Sequence, residues 1–334
     1  VDARVAARNV VRKLAIVVAG RSQLLAPHNL VESAVGVVVG RASEYFDFFV
    51  YGIASALVFP AVFFPFMDRL EGTLYSFAIF ALAFIARPLG TILFMSVHAR
   101  WGRGAKLTSA LFLLGTATAG MAFLPGYATL GGVSLALLAF FRVLQGIALG
   151  GSWDGLPSLL ALHTPKERRG WYAMLGQLGA PVGFIVAASV FAFLYASLEE
   201  RDFLDWGWRY PFYVAFAINV VALFARLRIV VAEEYQGRMG ELELEPTPVG
   251  ELFRAKGQHV VIGAFAALAS YALFHIVTIF PLSWILLFSE QSIVDFLLVQ
   301  ILGGFIAAVG IVASGLIADR VGRARTLGGL AVVI

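Results

Sequence analysis

The sequence predicts an all-α membrane protein on three observations. Hydrophobic residues make up 60% of the 334 residues and charged residues only 14%, against about 25% in soluble domains. The mean hydropathy is +0.85. Apolar segments recur along the whole chain with short polar gaps between them, and about 20 apolar residues suffice for one crossing. No stretch is left over for a soluble domain. Cysteine is absent, which excludes disulfides and thiolate metal sites.

The elements follow in order. Residues 1–33 form a basic tail, with Arg4, Arg8 and Arg12 at helical spacing before "LAIVVAG". No small-residue cleavage site follows cleanly, so a tail at the membrane surface is expected rather than a signal peptide. Apolar spans are predicted at 34–66, 73–97, 107–125, 131–161, 171–196, 209–230, 259–288 and 293–318. The 231–258 segment, with "ELELEPTPVGE", is the one substantial connection, and it divides a six-helix bundle at 34–230 from a second bundle at 259–334. A ninth span starts at Leu327 and is reached by the last residue, Ile334. The expectation is therefore a fragment: a complete first half and a second half truncated at its third helix.

Charge sets the orientation. "HARWGRGAK", "HTPKERRG", the 231–258 segment and "DRVGRAR" are rich in Lys and Arg, whereas "MDRLEGT", "PGYATLGG", "SLEERDFLDWGW" and "SEQSIVD" are not. Basic loops stay on the cytoplasmic side, so the N-terminus is expected there.

Two of the basic loops match. "LFMSVHARWGRGAKL" and "ASGLIADRVGRARTL" align without gaps: Arg100 with Arg320, Gly102 with Gly322, Arg103 with Arg323, Leu107 with Leu327. Such a match six spans apart is what a duplicated six-helix unit leaves behind.

With "EYFDFFVYG", "FAIFALAFIARPLGTILF", "LPGYATLG", "FFRVLQGIALGGSW", "GWYAMLGQLGAPVG" and "DWGWRYPF" in this order, the chain resembles the major facilitator superfamily. Within it, the metabolite:proton symporter family of bacterial organic-acid and osmolyte carriers is most similar. The resemblance runs from about residue 34 to the end. It implies the major facilitator fold, residence in the inner membrane and transport by alternating access. It also implies that Gly315, Asp319, Arg320, Gly322 and Arg323 form an intact gating loop, in which the Asp caps and pairs at the interface between halves. The first copy keeps Arg100, Gly102 and Arg103 but has Met95 for the leading Gly and Ala99 for the Asp. Ser152 replaces the acid of the family's G-G-E-W, and Asp154 supplies one two residues later.

Charges within the spans are the candidate site. Each costs about 2.5–3.5 kcal/mol at the bilayer centre on insertion scales, so it belongs in the bundle interior with a partner or water. Glu44, Asp47 and Tyr51 fall at i, i+3 and i+7 on one helical face. Arg41 precedes them by a turn, Arg87 lies in the second span before Pro88, and Arg142 shares a face with Gln145 in the fourth. The resemblance gives the Arg of R-x-x-Q-G a place in proton coupling. A carboxylate beside a cation can switch between paired anion and neutral acid. Tyr271 and His275, at i and i+4 in the seventh span, are cavity-lining candidates from the second half. Trp153, Trp206 and Trp208 are expected to anchor at the interface.

The resulting expectation is a monomeric proton-coupled symporter for a small polar metabolite, an organic anion such as a di- or tricarboxylate. Its partners are the substrate, the proton and the lipid bilayer, with no nucleic acid, cofactor or metal. A truncated, non-transporting remnant is the alternative. A membrane-embedded enzyme is disfavoured: the five histidines (28, 98, 163, 259 and 275) form no H-x-x-H or HExxH pair, and no G-x-S-x-G appears.

Overall fold

The computed structural model describes residues 27–152, 164, 166–231 and 249–333, and the described residues are almost entirely helical, with no strand. Helix α1 covers Pro27–Leu57, and a short α2, Phe59–Phe63, continues it after a break at Val58. The first predicted span is thus two helices. Pro60 has no N–H to donate and crowds the preceding turn, which interrupts the ladder there.

The second and third predicted spans share one element, α3, over Arg69–Ala122. Its start is set by Asp68, whose side chain accepts the Glu71 N–H at 2.8 Å, an N-cap that satisfies an otherwise orphaned donor. Inside α3 the helix breaks at Gly102, with φ +81°. Gly322, its partner in the repeat, closes the helix Ile293–Val321 with φ +96°. That left-handed region favours glycine, so the aligned glycines do the same work in both loops.

Then follow α4 (Tyr127–Leu130), α5 (Gly132–Gly151), a 3-10 turn at Lys166–Arg168, α6 (Arg169–Ser197), α7 (Glu200–Asp205), a second 3-10 turn at Gly207–Arg209, and α8 (Tyr210–Val231). The last four are α9 (Val249–Thr278), α10 (Phe280–Phe288), α11 (Ile293–Val321) and α12 (Arg323–Val333). Helix α5 ends at Gly151, and the rest of the fourth predicted span, from 153 to 161, is outside the described set. Helix α9 starts at Val249 and breaks at Lys256, where the backbone is non-helical, just before the predicted span at 259. Among the described residues five segments are long and apolar enough to cross a membrane: 69–102, 132–151, 169–197, 250–288 and 293–321.

The chain divides into two compact units. One comprises residues 43–154 and 183–304. Its core is aromatic, with Phe46, Phe49, Tyr51, Phe59, Phe63, Phe191, Phe203, Trp208 and Phe212 all buried. There α3 and α5 approach at backbone distance: a Cβ on Gly146 would meet the Ala83 backbone, and one on Gly150 the backbone of Arg87 and Gly90. Small residues allow such contact in a bundle where apolar surface gains nothing from leaving lipid. The described part of the other unit, in 27–42, 164, 166–182 and 305–333, holds the start of α6 against the end of α11.

Candidate transport site

Asp47 is 3% exposed at the middle of α1. It accepts from Thr118 Oγ1 at 2.8 Å, Gln145 Nε2 at 3.2 Å and Asn219 Nδ2 at 3.4 Å. Four helices therefore meet on one carboxylate: α1, α3, α5 and α8. Gln145 Nε2 also donates to Thr118 Oγ1 at 2.9 Å.

Arg142 is buried beside them. Its Nη1 donates to Gln145 Oε1 at 2.8 Å and its Nε to the Phe80 carbonyl at 3.2 Å. The guanidinium carbon lies 3.9 Å from the Tyr51 ring centroid and 4.7 Å from that of Phe80, a cation over two π faces. Charge in a dry bundle is thus met by hydrogen bonds and ring quadrupoles. Gln145 links the two charges, its carbonyl oxygen to the arginine and its amide nitrogen to the carboxylate. One group at i+3 can do this because an amide both donates and accepts.

The structure brings together Asp47, Tyr51, Arg142 and Gln145 from the sequence-derived set. Glu44 is half-buried one turn before Asp47. Arg87 is not brought in: it is exposed on α3, although its carbonyl accepts from Thr91 Oγ1. Arg41 is half-buried, so Arg142 is the only one of the three arginines that is fully enclosed. Tyr271 is 55% exposed. His275 is half-buried against Phe48, Phe80, Phe84 and Phe274, with ring centroids 5.5–5.9 Å away. Phe80 therefore touches both His275 and Arg142. Asp154 lies outside the described residues.

Sequence reading missed Thr118 and Asn219. Asn219 had a signal: it is the single amide side chain in α8, and a polar group in such a helix needs an internal partner. Trp208 corrects the interfacial expectation. It is 1% exposed and packs edge-on to Phe59, Phe63 and Phe212, whereas Trp206 is 40% exposed. Among the described residues no group of three His, Asp or Glu side chains is placed to hold a metal.

The second gating loop is engaged. Asp319, near the end of α11, accepts the backbone N–H groups of Gly170 at 2.6 Å and Trp171 at 2.9 Å, the first donors of α6. A Cβ on Gly170 would meet Asp319 Oδ1 and the Gly315 carbonyl, both at 2.7 Å, so Gly315 and Gly170 together let the carboxylate in. Arg320 and Arg323 are exposed. In the first loop Arg100 lies over the Trp101 ring at 5.1 Å. Ala99, exposed at the position aligned with Asp319, has no side chain to cap with.

Residues 45–334 match the family model of the Major Facilitator Superfamily. The chain belongs to that superfamily. Among related facilitators, the inner membrane metabolite transport protein YhjE of Escherichia coli is 35% identical over 299 residues, 88% of this chain and 68% of that protein. The shikimate transporter of the same organism is 32% identical, over 88% of this chain and 67% of that one. Among solved facilitators, the proton:xylose symporter XylE has a TM-score of 0.63 at 17% identity, covering 87% of this chain and 69% of that one. This last likeness is one of fold. The chain is thus a transporter of the major facilitator fold, and its relatives are transport proteins rather than enzymes.

Proposed function

We propose that this facilitator is a monomeric, proton-coupled symporter of a small organic anion, set in the inner membrane with its N-terminus cytoplasmic and working by alternating access. The observation that carries the proposal is the buried Asp47, held by Thr118, Gln145 and Asn219 and linked to Arg142 only through the Gln145 amide. A carboxylate clamped directly by arginine is fixed as an anion. Hydroxyl and amide partners can donate to the anion or, after rotation, accept from the acid, so both protonation states have a place here. Arg142 supplies the buried positive charge that favours an anionic substrate.

Glu44, Arg87, Tyr271, His275 and Asp154 remain candidate path residues in this reading, secondary to Asp47 and Arg142. The test is uptake of a labelled panel of di- and tricarboxylates and cyclic monocarboxylates into vesicles carrying the protein. An inward proton gradient should drive accumulation of at least one, and collapse of the gradient should leave exchange only. Gradient-independent uptake, or none across the panel, defeats the proposal.

A further inference from the structure

His275 brings a polar ring into an apolar wall shared by three helices. Its imidazole, on α9, meets Phe48 of α1 and Phe80 and Phe84 of α3 at 5.7, 5.9 and 5.5 Å between centroids. The three phenylalanines also touch one another, at 5.4–6.0 Å. The patch is open: Phe84 is 40% exposed, and Phe48, Phe274 and His275 are only half-buried. No described residue shares a hydrogen bond with the imidazole, and neither of its nitrogens is enclosed. A phenylalanine would pack here equally well without bringing an N–H and a lone pair. Inside a membrane such groups belong on a cavity rather than in lipid, and apolar walls with a few placed polar atoms are how small-molecule sites are built.

Charge limits what can bind there. The Phe80 ring that meets His275 also has the Arg142 guanidinium carbon 4.7 Å from its centroid, so the enclosed positive charge lies one side chain from the imidazole. Asp47 balances that charge through Gln145. Once Asp47 takes up a proton, Arg142 is left uncompensated, and one carboxylate on the substrate restores neutrality. A second or third carboxylate would need a cation of its own, and an unpaired charge against apolar rings is strongly disfavoured.

We propose that His275 is the specificity-determining residue for a monocarboxylate carried on a hydroxylated ring. The face of that ring lies on Phe48, Phe84 and Phe274, a ring hydroxyl shares a hydrogen bond with the imidazole, and the carboxylate is drawn toward the Arg142 side. This rests on the proton-coupled reading, in which Asp47 is neutral when the anion binds. Flat rings stack on or against phenylalanine, whereas an open-chain tricarboxylate has no apolar face to offer. The imidazole serves a hydroxyl well because it can donate to it and accept from it.

Two measurements on the whole chain in lipid nanodiscs, in mildly acidic buffer, test this. The first is equilibrium binding of labelled 4-hydroxybenzoate, benzoate and citrate. Wild type should bind 4-hydroxybenzoate about tenfold more tightly than benzoate, the upper part of what one hydrogen bond between neutral groups contributes, and citrate more weakly than either. His275→Phe keeps the ring packing and removes both polar atoms, so it should bind the two ring acids equally, with benzoate affinity unchanged. His275→Asn, which still donates and accepts, should recover part of the preference. The second measurement needs no variant: diethyl pyrocarbonate modification read by mass spectrometry. His275 should react in the free protein, more slowly than exposed His259, and should be protected by 4-hydroxybenzoate but not by citrate. An unreactive His275, a full hydroxyl preference in His275→Phe, or citrate binding tighter than both ring acids overturns the inference. Gradient-driven uptake of citrate without binding of either ring acid does so too, while leaving the symport reading intact. Binding and protection as expected, with no gradient-driven accumulation, defeats the symport reading instead and upholds the site.

Discussion

At the residue scale, Asp47 is where the apolar bundle tolerates ionisation, and its three hydrogen bonds are all from neutral side chains. Asp47→Asn mimics only the neutral acid. Vesicles carrying it should still exchange labelled for unlabelled substrate yet fail to accumulate it against a gradient, and wild-type accumulation would move the coupling group elsewhere. Glu44→Gln is the matched comparison: half-buried, Glu44 should contribute less to coupling than Asp47. Thr118 holds the shortest bond to Asp47 and also accepts from Gln145. Thr118→Val keeps the shape and removes both bonds, leaving buried groups unmatched at about 1–3 kcal/mol. A lowered midpoint in thermal unfolding in detergent checks it.

At the element scale, α6 and α3 differ in how their gating loops are finished. The first turn of α6 is capped by a carboxylate from α11, where negative charge also meets the positive end of the helix dipole. Asp319→Ala should destabilise by about 0.5–2 kcal/mol, the usual cost of losing an N-cap, and Asp319→Asn should reduce transport. Ala99→Asp, at the aligned position of the first loop, should be neutral or beneficial for uptake. Equal uptake by wild type and Asp319→Asn would show that the cap is structural alone. The α3–α5 contact offers a second check. A side chain at Gly146 would strike the Ala83 backbone, which cannot move aside as a flexible side chain can, so Gly146→Leu should abolish the folded bundle while Gly132→Ala, with nothing within 4 Å, should be silent.

At the scale of the whole molecule, the alternation of basic and less basic loops predicts which side each loop faces. Single cysteines at Lys166 and Glu199 flank α6, a segment long enough to span. Membrane-impermeant thiol reagents should reach them from opposite faces, with position 166 labelled only from the cytoplasm. Labelling of both from outside reverses or breaks the proposed topology. The chain has no native cysteine, so neither result has a background to subtract.

The sequence by itself determined the class, the order of the apolar segments and the repeat. These depend on hydropathy summed over about 20 residues and on glycine at positions that favour left-handed backbone, both local properties. It also determined that Asp47, Tyr51, Arg142 and Gln145 would need the bundle interior, since charge in lipid is costly anywhere. It did not say where Arg87 would point, because insertion cost says that a charge must be accommodated without saying on which side of its helix. Gly102 looked like part of a loop, and the backbone is non-helical there, so the two helical stretches of α3 meet at it. Only the tertiary structure decided that Thr118 and Asn219 complete the Asp47 site and that Gln145 stands between the two charges. Those partners lie 71, 172 and 98 residues from Asp47, and no local periodicity encodes which faces of four helices will meet. The rotation of each helix is settled by packing, here by glycines that let α3 and α5 touch and by the aromatic core around Phe59.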